Sequence, residues 1–305
     1  MGQYAAASAE NRNLSRRRLL LLALAFVAVL LCSVALPAQA HATNVINKKL
    51  VSVSFDYDDT STVTKTFTSY DITGDAKADT MKFVIGNGKV KVYVGGSLRG
   101  TVTYSGAYDY SVKYIRTTTK HPFLYITATG DNLDGKYVLY QYKNGKLNVI
   151  TSQAYIPSSY ATHRYIDNVW AYGKTVKVRY GAMTYTAGTI TATYTFKWSS
   201  STLKRTSTTA SVVSIGGTSN SSSRKFTLRK AMTLYKTAGG STKVVTASKG
   251  SKVKINSICV KNSKLYFKVT TTAGKTGWFK GLTSEYYADD GYGYNSLFKE
   301  CLLAG

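Results

Sequence analysis

Residues that commonly carry chemistry are scarce in this chain. Its 305 residues include three histidines, three cysteines and three prolines. One cysteine, Cys32, falls inside an apolar run near the N-terminus, which leaves Cys259 and Cys301. No histidine lies near either of these in sequence, so the order of residues offers no local Cys-His pair. His121 precedes Pro122, His163 precedes Arg164, and neither stands at a metal-ligand spacing. Glutamates are few and the aspartates cluster in turns, so nothing specific supports paired catalytic carboxylates. These absences argue for a protein that binds rather than transforms. Three prolines and 25 glycines also argue against a low-complexity chain.

What the chain has in quantity is tyrosine and positive charge. Twenty-five tyrosines, with many valines, threonines and lysines, favour strands over helices. The length allows one to three domains with cores of their own. The formal net charge is +25 and the pI is about 9.8. Arg16, Arg17 and Arg18 precede an uninterrupted apolar run from Leu19 to Leu36, followed by Pro37 and Ala38-Gln39-Ala40. This pattern is that of an export signal over residues 1–40, with an uncleaved membrane anchor as the alternative. Loss of that segment removes four arginines and one glutamate and leaves +22. Outside the membrane the relevant polyanions are teichoic acids, acidic polysaccharides and lipid headgroups, not nucleic acid. The competing explanation is that the lysines are solvated strand faces. Membrane attachment is expected only through an uncleaved leader, and the protein is expected to be secreted or associated with the cell envelope.

The first strand-like stretch alternates Val51, Val53 and Phe55 with serines, and Thr62 to Phe67 continues in the same style. Between them and the next strand lies Asp71-Ile72-Thr73-Gly74-Asp75-Ala76-Lys77-Ala78-Asp79. Hard oxygen ligands at alternate positions of a tight loop suit calcium, with Asp71, Thr73, Asp75, the Lys77 carbonyl and Asp79 as the candidate ligands. The alternative is an Asp-rich turn held by side-chain bonds to its own backbone. The loop resembles those of integrin-type calcium-binding β-propeller repeats, where a strand follows the loop. Here Met81, Phe83 and Ile85 follow, then an Asn87-Gly88 turn and Val90, Val92 and Val94. A second copy runs from Gly130-Asp131 through Tyr137, Leu139, Asn144-Gly145 and Leu147. A third, more degenerate copy runs from Tyr165 through Gly173 to Tyr180. Three copies are too few to close a propeller. The expected domain, residues 44–200, is therefore an incomplete propeller or a sandwich of hairpins.

Ile190, Ala192, Tyr194, Phe196 and Trp198 form the clearest alternation in the chain and complete that domain. Residues 201–225 are rich in Ser, Thr and Gly and read as a linker. The next segment holds Lys249-Gly250-Ser251, alternating Lys252, Val253, Lys254 and Ile255, then Leu265, Tyr266, Phe267 and Val269. It closes on Gly274-Lys275-Thr276-Gly277-Trp278. This segment, roughly residues 226–280, resembles the bacterial Src-homology-3-type cell-wall domain, a small β-barrel. The family's Arg-x-Gly-Pro element is missing, and the matching place reads LYKTAGG from Leu234 to Gly240.

The resemblance implies a ligand groove, which Tyr235, Tyr266, Trp278 and Tyr286 are placed to line. Core packing is the competing role for Tyr266 and Trp278. Leu297, Phe298, Cys301 and Leu302 stand at helical spacing and suggest a short terminal helix within residues 226–305. Export permits a Cys259–Cys301 disulfide, with two buried thiols as the alternative. The expectation from sequence is an all-β, exported, non-catalytic protein that binds peptidoglycan or an anionic wall polymer. A calcium-stabilised scaffold that binds another protein is the second reading, and a peptidoglycan hydrolase the third.

Overall fold

A strand with one apolar face needs a second layer to cover it, and the first half of the chain supplies two. The computed structural model describes residues 45–56, 59–216, 224–284, 286–287, 293–294, 296–299 and 302–303. The expected export segment lies outside these. Nine strands come first: β1 (Ile46–Ser54), β2 (Thr62–Tyr70), β3 (Asp79–Gly86), β4 (Lys89–Val94), β5 (Ser97–Thr103), β6 (Asp109–Arg116), β7 (Pro122–Thr129), β8 (Gly135–Lys143) and β9 (Lys146–Ser152). They form a four-stranded sheet, β2-β3-β4-β5, and a five-stranded sheet, β1-β6-β7-β8-β9. Met81, Phe83, Ile85, Val90 and Val92 from the first meet Val112, Tyr114, Leu124 and Ile126 from the second in one core.

β7 is covered on both faces. Leu124 and Ile126 enter that first core, while Phe123 and Tyr125 enter a second one behind the sheet. This explains why Pro122 to Ile126 are all buried, a continuous run rather than an alternation. Two-residue turns set the register of the hairpins. Asn87 and Gly88 have φ of 51° and 67°, and Asn144 and Gly145 have φ of 54° and 71°. Both central residues of a type I′ turn need positive φ, so the two Asn-Gly pairs do what their sequence predicts.

The second core is roofed by an eleven-stranded antiparallel sheet. Its strands are β10 (Ala161–Tyr172), β11 (Thr175–Thr184), β12 (Gly188–Ser199), β13 (Thr202–Arg205), β14 (Thr209–Ile215), β15 (Lys225–Thr227), β16 (Met232–Tyr235), β17 (Lys243–Ala247), β18 (Lys252–Lys261), β19 (Lys264–Thr271) and β20 (Thr276–Lys280). Its path is β10-β11-β12-β14-β18-β19-β20-β16-β17, with β13 on β12 and β15 on β18. The predicted alternation in β12 holds: Ile190, Ala192, Tyr194 and Phe196 are buried and the threonines between them are half-exposed. Three short strands, β21 (Tyr286–Tyr287), β22 (Gly293–Tyr294) and β23 (Leu302–Leu303), make a further small sheet.

The structure is all-β, and no α-helix occurs among the described residues. Three expectations are corrected. Residues 201–225 are not a linker over their first part. β14 alternates buried Ala210 and Val212 with exposed Ser211 and Val213, and it hydrogen-bonds to β12 on one side and β18 on the other. The sheet therefore runs through the Ser/Thr-rich stretch, and from Val45 onward the chain forms one compact unit. No sheet among the described residues closes into a barrel, and β17 is an end of its sheet. The terminal helix is replaced by extended chain: Phe298 bridges to Leu228 and Leu302–Leu303 pairs with β22. Burial drives this choice. Phe298 is fully buried against Phe226 and Phe279, with ring centroids 4.8 and 6.3 Å away, worth about 1.5–3 kcal/mol for such a side chain.

Candidate functional site

The segment β16 to β20 places the aromatic residues. β16 and β17 form a hairpin, β18-β19-β20 form a meander, and β16 returns to β20 through Tyr235 opposite Trp278. Tyr266 on β19 joins Trp278, Cys259 and Ala238 in a small cluster of buried side chains. Tyr266 and Trp278 are each only 9% exposed, and Tyr235 is half-buried. The 236–242 loop covers Tyr266: a Cβ at Gly239, where φ is +73°, would lie 3.0 Å from the Tyr266 hydroxyl. Both the backbone angle and the close approach call for glycine there. Lys261 donates to the Ala238 carbonyl of the same loop at 3.4 Å. Lys268 stands opposite Trp278, its ammonium 5.8 Å from the ring centroid.

Three of the four predicted groove residues therefore converge. Two of them, Tyr266 and Trp278, are largely covered, and Tyr235 with Lys268 forms the accessible edge. Tyr286 begins β21, and its side chain lies outside what is described. Cys259 is a buried free thiol in this cluster. Its expected disulfide partner, Cys301, lies outside the described residues.

The aspartate loop is built differently from a cation cage. Asp71 is 7% exposed, and its carboxylate accepts from the Gly74 and Ala76 amides and from the Thr73 hydroxyl. Asp79 accepts from the Ile72 and Thr73 amides at 2.7 and 3.0 Å. Asp75 accepts from the Lys77 amide at 2.9 Å, and that bond holds its pKa below the ordinary 3.8. The Tyr114 hydroxyl donates to the Asp71 carbonyl at 2.6 Å and ties the loop to the core. Each carboxylate is turned toward backbone donors, and no group of three His, Cys, Asp or Glu gathers among the described residues. Asp71, Thr73, Asp75, Lys77 and Asp79 thus form a turn capped by its own carboxylates.

The two described histidines, His121 and His163, are also engaged. His121 stacks on Trp198 with centroids 3.5 Å apart and planes 15° from parallel, and burial pushes its pKa below 6.5. His163 lies 3.4 Å from Asp134.

The distribution of charge carries more information than any of these groups. From Asn168 to Ser284 the chain has 20 lysines and arginines and not one aspartate or glutamate. Residues 45–167 hold 15 basic and 10 acidic residues. This signal was legible in the sequence, but the total charge conceals it. Only two ion pairs occur among the described residues, His163–Asp134 and Arg179–Asp167, and both draw their acid from the earlier half. Most lysines on the long sheet are exposed or half-exposed. In comparisons with known proteins, no family model and no curated protein matches the chain.

Proposed function

We propose that this is an exported, non-catalytic binding protein of the cell envelope whose 168–284 half holds an anionic wall polymer. The observation that carries the reading is the complete absence of carboxylates from a stretch with 20 basic side chains. A solvated but functionless surface normally mixes both signs, because a one-sign field repels itself and costs stability. A polyanion removes that cost on binding. The export pattern of residues 1–40 and the resemblance to a Src-homology-3-type wall domain support the same setting. The order of β16 to β20, a hairpin followed by a three-stranded meander whose last strand returns to the first, is compatible with an opened form of that small barrel. The Tyr235 edge beside Trp278 and Lys268 offers a secondary contact for a peptidoglycan peptide.

A calcium-stabilised scaffold is disfavoured by carboxylates already committed to amides. The test is cosedimentation of the purified chain with bacterial wall material before and after chemical removal of its phosphate-bearing polymers. Binding is expected to fall sharply after removal and to weaken with added salt. Equal binding to stripped and unstripped walls would point to the peptidoglycan itself and reject the polyanion reading.

A further inference from the structure

Three residues with left-handed backbone, none of them glycine, line one cavity. Asn132 and Leu133, in the turn between β7 and β8, have φ of 53° and 64°, and His163 on β10 has φ of 38°. They share a cavity of about 430 Å3 with Tyr165, Met183 and Thr189. Such backbone persists only where its surroundings over-determine it, and here they do. The Tyr137 hydroxyl donates to the Leu133 carbonyl at 2.8 Å, the Gln153 amide donates to the Gly135 carbonyl at 2.8 Å, and the Tyr108 hydroxyl donates to Asp131. The turn is thus fixed at three points, and it holds Leu133 52% exposed.

A β-bulge builds the rest of the cavity. Thr162 pairs with Met183 and Tyr165 with Gly181, so His163 and Arg164 together face Ala182. The extra residue bends the strand and re-aims its side chains. Tyr165 then lies across Gly181, where a Cβ would stand 2.0 Å from its ring, and Tyr137 packs on the same ring at 6.1 Å between centroids. Met183 stands opposite Thr189 on β12, and both are half-buried. His163 Nδ1 faces Asp134 at 3.4 Å, outside hydrogen-bond geometry. The side chains of Asn132, Tyr165 and Thr189 make no hydrogen bond among the described residues.

We infer that this cavity binds an uncharged sugar ring of a glycan. Among the described residues no lysine, arginine, aspartate or glutamate lines it, so a phosphate or a charged peptide end finds no partner there. A purely apolar ligand would leave the polar atoms of Asn132, His163, Tyr165 and Thr189 dry. A sugar answers both demands. Its hydroxyls meet those groups, and its C–H face lies on the apolar surface of Tyr165, Leu133 and Met183. The volume falls within the range of small-ligand sites, about 300–1,000 Å3. A turn fixed before the ligand arrives also lowers the ordering cost of binding. The site uses none of the lysines of the basic sheet and stands independently of the polyanion reading.

The test titrates the purified chain with chitotriose, cellotriose and maltotriose, followed by ligand-observed NMR. Four proteins are compared: the unaltered chain, Leu133→Gly, Thr189→Val and, as control, Leu98→Ala. Leu98 is 51% exposed and does not line the cavity. Glycine suits the φ of +64° at position 133, so Leu133→Gly should melt no lower than the unaltered chain while losing a cavity wall. Thr189→Val keeps the shape and removes one hydroxyl, and melting temperatures check that every variant is folded. At least one trisaccharide is expected to bind saturably. Leu133→Gly and Thr189→Val should each weaken it about three- to tenfold, and Leu98→Ala by less than about twofold. No saturable binding of any of the three sugars to the unaltered chain would overturn the inference and leave the polyanion reading standing. Equal affinity in all four proteins would overturn the placement of the sugar in this cavity. Displacement of the bound sugar by poly(glycerol phosphate) would overturn its separation from the basic surface.

Discussion

The two halves of the described chain, residues 45–167 and 168–284, use charge in opposite ways. In the first, aspartates are internal fittings. Asp71 and Asp79 cap the amides of their own loop, Asp59 accepts from the Ser61 amide, and Asp131 accepts from the Tyr108 hydroxyl. In the second there are no aspartates to use, and the lysines are left to the solvent side of strands whose inner faces are ordinary core. Alternation and burial build both halves alike, and a single core runs from Ile115 to Phe298 across them. The difference shows that fold and surface are separately specified. Inward positions answer to packing, and outward positions are free to carry a one-sign field if a partner neutralises it.

The sharpest way to break this comparison is to damage the shared core from the second half. Phe226 is 1% exposed and packs on Phe298. Phe226→Ala is expected to cost about 3–5 kcal/mol, and urea unfolding followed by both fluorescence and far-ultraviolet circular dichroism should show one transition. Two separated transitions would mean that the halves fold independently. Next in size, Asp71→Ala removes a buried acceptor serving two amides and should cost about 2–3 kcal/mol, with the same loss in calcium as in chelator. A melting temperature of the unaltered chain that rises with calcium would show that the loop does more than cap itself.

A smaller effect concerns the seam between the halves, where His121 of the first stacks on Trp198 of the second. Burial lowers the folded-state pKa of His121 below its unfolded value of 6.5, so the unfolded chain binds the proton more readily. Its contribution to stability is complete above pH 6.5 and is lost as pH falls through the lower folded value. His121→Phe should therefore flatten the pH profile of melting between about pH 7 and pH 5. An unchanged profile would remove His121 from the account. The smallest effect is at Asp75, which is fully exposed and whose folded pKa lies below 3.8 because of the Lys77 amide. Its contribution is present above that value and lost as pH falls further. Asp75→Asn should melt slightly lower than the unaltered chain at neutral pH, and the difference should shrink as pH falls through the lowered folded pKa of Asp75.

The site was only partly legible. Tyr235, Tyr266 and Trp278 were found by the resemblance and do converge, but their covering by the Ala238–Gly239 loop depends on a contact between segments about thirty residues apart. Lys252 and Lys254 were in view as an alternating strand. That Lys254 stands opposite Lys225 is a matter of register between segments 29 positions apart, which no local pattern encodes.

Strand identity, hairpin turns and the inward face of each strand were determined by the sequence itself. Two-residue periodicity and Asn-Gly pairs are short-range signals, and a few neighbouring residues suffice to express them. Tertiary structure alone decided which strands became neighbours. It drew Thr209–Ile215 from an apparent linker into the middle of a sheet, because open backbone donors on β12 and β18 were there to be satisfied. It also held Phe298 in extended chain, where burying one ring outweighed a weak helical spacing.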